Sequence, residues 1–323
     1  MRIAFFGTPD IAVASLAALL DAGHDVACVV SQPDRPSGRR RRLTPPPVKV
    51  FAADRGLPVR QSDEVNDPAF VEGLAALEPQ AIVVTAFGQI LREPLLELPP
   101  LGCLNVHASL LPRHRGAAPV ATAILAGDRE TGVTLIRMVR EMDAGPILAQ
   151  ESTPIGPRET TGELTERLAD LGAGLLVRTL EELAAGRAEP TAQDDAAATY
   201  APSFRKNDGA IDWTRPADYL GRFVRAMTPW PGAFTFWLPP GKPPLRLLVL
   251  EAVAEPGEAG EPARVAAADG QGIAVETGEG LLRLLRVHPA GKRPMAAADF
   301  LRGHPIPVGA RLGWEERRGA GPR

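Results

Sequence analysis

Four residues of this chain have the types and spacing for proton and oxyanion chemistry. Asn105, His107 and Ser109 lie in the stretch LNVHASLLPRHRGAAP, and Asp143 follows in MDAGPIL. Read as a β-strand, the first stretch puts the amide, the imidazole and the hydroxyl on one face, because side chains alternate with a period of two. Leu104, Val106 and Ala108 then face the opposite way, into packing. A row of polar groups on a core strand is costly unless it is used. It ends at a loop containing Pro112, Arg113, Arg115 and Gly116. With Asp143 as a partner, an amide, an imidazole and a hydroxyl on one face read as a catalytic set rather than as a satisfied core cluster. Other chemistries lose ground. His24, His114, His288 and His304 are scattered without ligand spacing, so no metal is expected. No G-x-S-x-G elbow supports Ser109 as a hydrolase nucleophile. Gly7-Thr8-Pro9-Asp10 stands where a dinucleotide-binding fold would carry G-x-G-x-x-G, and reads as a tight strand-to-helix turn.

The elements that must position these residues follow from the pattern. Arg2–Phe6 is a short apolar strand, and Thr8 and Pro9 supply an N-cap and first-turn proline for a helix to about Leu20. Further strands are expected at Asp25–Ser31, Val59–Gln61, Ala81–Ala86, Cys103–His107 and Val133–Met138, with helical segments between most of them. Alternation of this kind predicts an α/β fold, a Rossmann-like doubly wound and mostly parallel sheet whose site lies at the strands' carboxyl ends. Leu164, Leu168, Leu171 and Leu175 mark one face of a helix reaching about Ala185. A polar linker follows, then a helix at Ala217–Met227. Strands at Ala233–Leu238, Leu245–Ala252, Ala263–Ala267, Gly272–Thr277 and Leu281–Val287 suggest a smaller, OB-like C-terminal β-barrel. Trp230, Phe234, Phe236 and Trp237 read as its core. The expected domains are a catalytic domain at 1–187, a linker at 188–206, a barrel at 207–314 and a tail at 315–323.

Composition adds limits. The 323 residues carry a net charge of −3 with 45% apolar content, so any affinity for nucleic acid must come from local patches. Cys28 and Cys103 sit in apolar runs, which suits buried free thiols in a reducing, cytoplasmic setting. Gly7–Asp10 interrupts the apolar N-terminus, which argues against a signal peptide, and no run approaches the ~18 apolar residues of a membrane span. One local patch stands out. In SQPDRPSGRRRRLTPPPVKV, Arg35, Arg39, Arg40, Arg41 and Arg42 put five guanidiniums into a proline-rich connection. It fits equally a solvated loop or an arm that captures phosphate. Lys292 and Arg293 form a second, smaller basic cluster.

The phrase N-V-H followed by SLLPRHRGAAP, with MDAGPIL downstream, resembles the 10-formyltetrahydrofolate-dependent formyltransferases. Members of that family differ in acceptor, so this constellation names the reaction alone. GTPD, SQPDRPSGR, PPPVKVFAADRGLPV, VVTAFGQIL, AGDRETGVT, IDW, PWPGAF and PAGKRPM resemble the branch acting on methionyl-initiator tRNA, over nearly the whole chain. Two departures are the unbroken run Arg39–Arg42 and Phe87, where tyrosine is frequent. The resemblance implies transfer of formyl from 10-formyltetrahydrofolate to the methionyl α-amine for translation initiation, without a metal. It implies Asn105, His107 and Asp143 as catalytic residues. It implies a folate site at Ser109, Leu110, Leu111 and Pro112, walled by Phe87, Gly88, Gln89, Ile90 and Leu91. Arg35, Arg39, Arg40, Arg41 and Arg42, with Lys292 and Arg293 of the barrel, would hold tRNA phosphates. A cytoplasmic monomer is the expectation, and a sugar-nucleotide or other small amine is the alternative acceptor.

Overall fold

The computed structural model describes residues 1–37, 42–257 and 260–313. The chain forms two compact units. The first comprises Met1–Pro119, Arg129–Ile155 and Leu164–Pro202; the second comprises Val120–Asp128, Gly156–Glu163 and the chain from Ser203 onward.

The first unit is built on a seven-stranded sheet. In chain order its elements begin with β1 (Arg2–Gly7), α1 (Asp10–Asp21), β2 (Asp25–Ser31), the small hairpin β3 (Arg35–Ser37) and β4 (Arg42–Thr44), α2 (Pro47–Ala53) and β5 (Val59–Gln61). They continue with α3 (Pro68–Ala75), β6 (Ala81–Thr85), α4 (Glu93–Leu96), β7 (Cys103–His107) and β8 (Arg115–Gly116). After α5 (Pro119–Ala126), which from Val120 belongs to the second unit, come β9 (Glu130–Arg137), β10 (Ile147–Pro154), α6 (Thr161–Ala184), counted here from Leu164, and β11 (Tyr200–Ala201). The sheet order is β10-β9-β7-β6-β1-β2-β5. From β7 to β5 all neighbours pair in parallel. The chain first winds outward from β1 to β2 and β5, then crosses back to β6 and β7. This places a topological switch point between the carboxyl ends of β1 and β6, where a doubly wound fold opens a crevice.

The alternation of β1 explains the layers. Ile3 and Phe5 enter one apolar cluster with Leu16, Val83, Leu104, Leu135 and Leu176. Ala4 and Phe6 enter the other with Cys28, Val30, Ile82 and Cys103. Both faces of the central strands are covered, as parallel sheets require. On β7, Leu104 and Val106 pack with the first cluster and Cys103 with the second, which leaves Asn105 and His107 on the Cys103 face.

Several boundaries differ from expectation. The parallel pattern stops at β7. β9 runs antiparallel to it, and β10, which carries too few apolar residues to announce itself, runs antiparallel to β9. Thr8 is not the N-cap of α1; Pro9 occupies that position, and the Thr8 hydroxyl instead donates to the Phe87 carbonyl at 2.8 Å. The polar stretch 188–206 contributes β11, which pairs with β8, and a bridge between Thr191 and Ile147.

The second unit contains α7 (Ala217–Ala226), β12 (Phe234–Trp237), β13 (Leu245–Glu255), β14 (Val265–Asp269), β15 (Gly272–Glu276), β16 (Leu281–Pro289), β17 (Met295–Ala296), α8 (Ala297–Gly303) and β18 (Leu312–Gly313). Its antiparallel sheet runs β14-β15-β16-β13-β12-β18. The two edges meet. Val265 N donates to Ala310 O at 2.8 Å and Leu312 N to Ala263 O at 2.9 Å, with a bridge between Arg264 and Arg311, so the sheet closes on itself. Closure removes the unpaired edges that would invite aggregation. Phe234 and Trp237 are buried in this unit, whereas Trp230, expected in the core, is 58% exposed.

No helix of the described residues is long and apolar enough to cross a membrane. Cys28 and Cys103 are both free and fully buried. Burial pushes their thiols up to about 11 and about 12, because thiolate in an apolar core is desolvated. A disulfide-exchange reagent at pH 8 is expected to find no reactive thiol in the native chain and two after urea unfolding. Rapid native labelling would contradict the packing of β2 and β7.

Candidate active site

The carboxyl end of β7 presents Asn105 and His107, and a loop returning from β9 brings Asp143 to them. Asn105 Nδ2 donates to Asp143 Oδ1 at 3.2 Å. Gly116 N donates to Asp143 Oδ2 at 2.8 Å. His107 Nδ1 lies 3.6 Å from the same Oδ2, longer than a direct hydrogen bond. The far side of the ring is held, since Nε2 lies 3.0 Å from the His114 carbonyl oxygen. A carbonyl only accepts, so Nε2 carries the hydrogen there, and Nδ1 is the nitrogen that faces Asp143. The side chains of His107 and Asp143 are only 7% and 14% exposed, so their interactions are weakly screened.

Asp143 occupies the left-handed backbone region, with φ of +52°. Asp tolerates this better than most residues, at a cost of about 1 kcal/mol. Two donors to an ionised carboxylate contribute about 1.5–3 kcal/mol each, enough to hold the conformation. The loop lies against the end of β9. A Cβ on Gly145 would fall well inside contact distance of the Arg137 carbonyl oxygen, so only glycine fits there. Gly116 has φ of +120°, and a Cβ on it would come within 2.6 Å of the Ala201 carbonyl oxygen of β11.

The other expected site residues divide. Ser109 does not continue the polar face, because β7 stops at His107 and the alternation stops with it. The Ser109 hydroxyl donates to Arg113 O at 2.7 Å and closes the turn. Leu111 is buried, precedes Pro112 through a cis peptide bond, and donates its N–H to Thr134 Oγ1 at 3.1 Å. Leu110 is half-buried, near Gly132. In the second loop, the Phe87 ring is packed edge-on against Phe6 with centroids 5.0 Å apart. The Gln89 amide is spent on the backbone, accepting from Val65 N and donating to Ser62 O. Leu91 is buried. What this loop offers a ligand is Gly88, exposed at φ of +94°, and the side chain of Ile90, which is 70% exposed. Val139 and Met142, on the loop that carries Asp143, are also exposed and apolar.

Arg35 and Arg42 stand exposed on the β3–β4 hairpin, in register with Thr44 and Ser37. Arg39, Arg40 and Arg41 lie outside the described residues. The hairpin's base is locked. Lys49 Nζ donates to both Asp34 oxygens at 2.8 and 2.9 Å and to Gln61 Oε1 at 2.8 Å, and the hydrogen bonds that Lys49 and Gln61 Nε2 give to Asp34 lower its pKa. Lys292 and Arg293 are exposed in the turn after β16 of the second unit. Among the described residues no group of three His, Cys, Asp or Glu side chains has the arrangement of a metal site.

Comparison with known proteins decides the family. Residues 1–180 match the family described as formyl transferase, and residues 203–305 match its C-terminal domain. The chain belongs to the formyl transferase family. Curated relatives named methionyl-tRNA formyltransferase are similar over nearly their full length. The protein of Moorella thermoacetica is 48% identical over 97% of this chain and 99% of its own. That of Phenylobacterium zucineum is 49% identical over 97% of this chain and 100% of its own. The fold is also that of HypX from Aquifex aeolicus, solved with tetrahydrofolic acid, at a TM-score of 0.63 and 20% identity. That match covers 93% of this chain and 47% of HypX, so this chain spans about half its length. The sugar 3N-formyl transferase WlaRD superposes with a TM-score of 0.62 and 17% identity, over 90% of this chain and 98% of its own.

Sequence reading overlooked the polar residues that tie this site together. Thr134, the register partner of His107, donates to Ser109 O at 2.6 Å, and Gln150 Nε2 donates to Leu111 O and Thr134 Oγ1. Gln193 binds the Asp143 loop from the stretch expected to be a linker. Only Thr134, in the AGDRETGVT phrase, carried any signal. Gly145→Ala is expected to destabilise the chain by about 2 kcal/mol or more through overpacking, read as a lowered urea midpoint. An unchanged midpoint would show that the loop does not lie on Arg137 as described.

Proposed function

We propose that this chain transfers the formyl group of 10-formyltetrahydrofolate to the α-amine of methionine esterified to initiator tRNA. The observation that carries the reading is the Asn105, His107 and Asp143 cluster, set in a chain that matches methionyl-tRNA formyltransferases from end to end.

The folate supplies an activated formyl group, and the two loops offer it the exposed apolar side chains of Ile90, Val139 and Met142 and the exposed backbone of Gly88. That combination suits a flat heteroaromatic ring with hydrogen-bonding edges. Ser109, Leu111, Phe87, Gln89 and Leu91, whose side chains are buried or committed, serve by holding the shape of their two loops.

A free amine is a competent nucleophile, so no covalent enzyme intermediate is required. The attacking nitrogen bonds to the formyl carbon as the bond to the folate nitrogen breaks, and one proton moves from the amine to the folate nitrogen. Asn105 Nδ2 carries two hydrogens. One is given to Asp143, and the other is available for the negative charge that develops on the formyl oxygen. His107 acts through Nδ1 on the same side, because Nε2 is occupied by His114. Asp143 accepts the amine proton directly or through a water. Arg35 and Arg42 of the hairpin, with Arg39, Arg40 and Arg41 between them in sequence, hold phosphates of the acceptor arm, and Lys292 and Arg293 serve the same purpose on the barrel. Reduced folate and charged tRNA as substrates, with two buried free thiols, support a cytoplasmic setting for the reaction.

The deciding assay offers labelled 10-formyltetrahydrofolate with methionyl-initiator tRNA or with an amino-sugar nucleotide. Turnover on the tRNA and none on the sugar is expected, and the reverse would refute the acceptor. Asn105→Ala and Asp143→Ala should each lower kcat at least ~100-fold, as for loss of an oxyanion-hole donor. Near-normal turnover in either variant would refute its assignment. Neutralising Arg39, Arg40, Arg41 and Arg42 to Gln should weaken tRNA binding and flatten its dependence on salt while folate affinity stays unchanged. Equal tRNA affinity at every salt concentration would remove the hairpin from the interface.

A further inference from the structure

We propose that Gln193 is a positioning residue for Asp143, an inference that rests on the catalytic reading of that aspartate. Gln193 Nε2 donates to the backbone carbonyls of Asp143 and Gly145, both at 2.7 Å. Its Oε1 accepts from Arg115 Nε at 3.1 Å and Arg115 Nη2 at 2.8 Å. Guanidinium nitrogens only donate and carbonyls only accept, so one orientation of the Gln193 amide satisfies all four contacts. Glutamate would set an acceptor against two carbonyls, and lysine would set a cation against the guanidinium.

The brace is itself anchored. The Arg115 side chain is only 5% exposed, and its Nη2 also pairs with Asp195 at 2.7 Å. Thr191 exchanges backbone hydrogen bonds with Ile147, both at 2.8 Å. Thr199 Oγ1 accepts from His114 N at 2.9 Å, and Thr199 O accepts from Arg115 N at 2.8 Å. Residue 116, next in the chain, donates to the Asp143 carboxylate. Gln193 therefore holds the backbone of Asp143 while Gly116 holds its carboxylate, and one segment supports both. A left-handed residue on a loop needs such restraint to keep its carboxylate between an amide and an imidazole. Loosening it should cost rate rather than binding, because misplacing a reacting group by about 1 Å can cost about 100-fold.

The test is a double-mutant cycle on the full chain in the formyl-transfer assay, with kcat, both KM values and the thermal midpoint measured. Gln193→Glu keeps an acceptor for Arg115 and removes the donor to the loop; Gln193→Met, neutral and of similar length, serves if the first variant folds poorly. Either is expected to lower kcat about 10- to 100-fold with both KM values within about twofold. In an Asp143→Asn background the same change should alter the residual kcat by less than about twofold, since its target is already gone. Wild-type turnover in both Gln193 variants, a loss confined to KM, or an equal loss in both backgrounds would overturn the proposal. Wild-type turnover by Asp143→Asn alone would overturn the catalytic reading and the role of Gln193 with it. An inactive Asp143→Asn beside wild-type turnover in both Gln193 variants would remove only the role of Gln193.

Discussion

The structure around this site is organised by one requirement, that the Asp143 carboxylate stay between an amide and an imidazole although it is carried by a loop. Its φ of +52° shows that the loop pays a local cost to aim it. The compensation comes from several directions. Asn105 and Gly116 donate to the carboxylate, and Gln193 takes two carbonyls of the loop. Asn105 is held by β7, Gly116 by the pairing of β8 with β11, and Gln193 by Arg115. Removing a side-chain donor would leave the carboxylate partly exposed to other geometries without unfolding its neighbours. The site is thus assembled from separately stabilised pieces.

The mixed strand directions of the sheet set how the Asp143 loop reaches the site. Parallel strands from β5 to β7 open their carboxyl ends on one side, and β7 ends at His107. The loop that carries Asp143 does not start from that side. Instead β9 runs antiparallel to β7, so its own carboxyl end and the loop after it lie beside the start of β7, where Met138 N donates to Cys103 O at 2.7 Å. The loop then extends along β7 toward Asn105. Tight closure there depends on Gly145, whose missing Cβ leaves room for the Arg137 carbonyl.

The strand alternation was legible because it is a local property. Leu104 and Val106 enter one core layer while Asn105 and His107 face the other. Extending that alternation to Ser109 failed because nothing in LNVHASLL marks the end of pairing; Thr134 and Gln150, remote in sequence, turn the chain there. The N-cap of α1 failed for a similar reason. Thr8 has the right chemistry for a cap, but the Phe87 carbonyl at the neighbouring strand end takes its hydroxyl. β10 went unseen because an edge strand with polar residues on its outer face lacks the apolar density that marks β6. Gln89 and Phe87 occupy the expected loop, yet their side chains serve the scaffold, and the exposed groups are Gly88 and Ile90.

By itself the sequence determined the layer architecture and the cluster of groups fit for chemistry, since residue type, spacing and period are carried by short stretches of chain, while formyl transfer was legible through the resemblance of its motifs to a family. The strand direction of β9, the choice of Nδ1 on His107, the turn that consumes the Ser109 hydroxyl and the brace through Gln193 were decided only by tertiary structure. Each depends on a hydrogen-bond partner many residues away, and a partner's identity is fixed by where the folded chain places it. A glutamine in a polar stretch reads as linker until two carbonyls and a guanidinium are set around it.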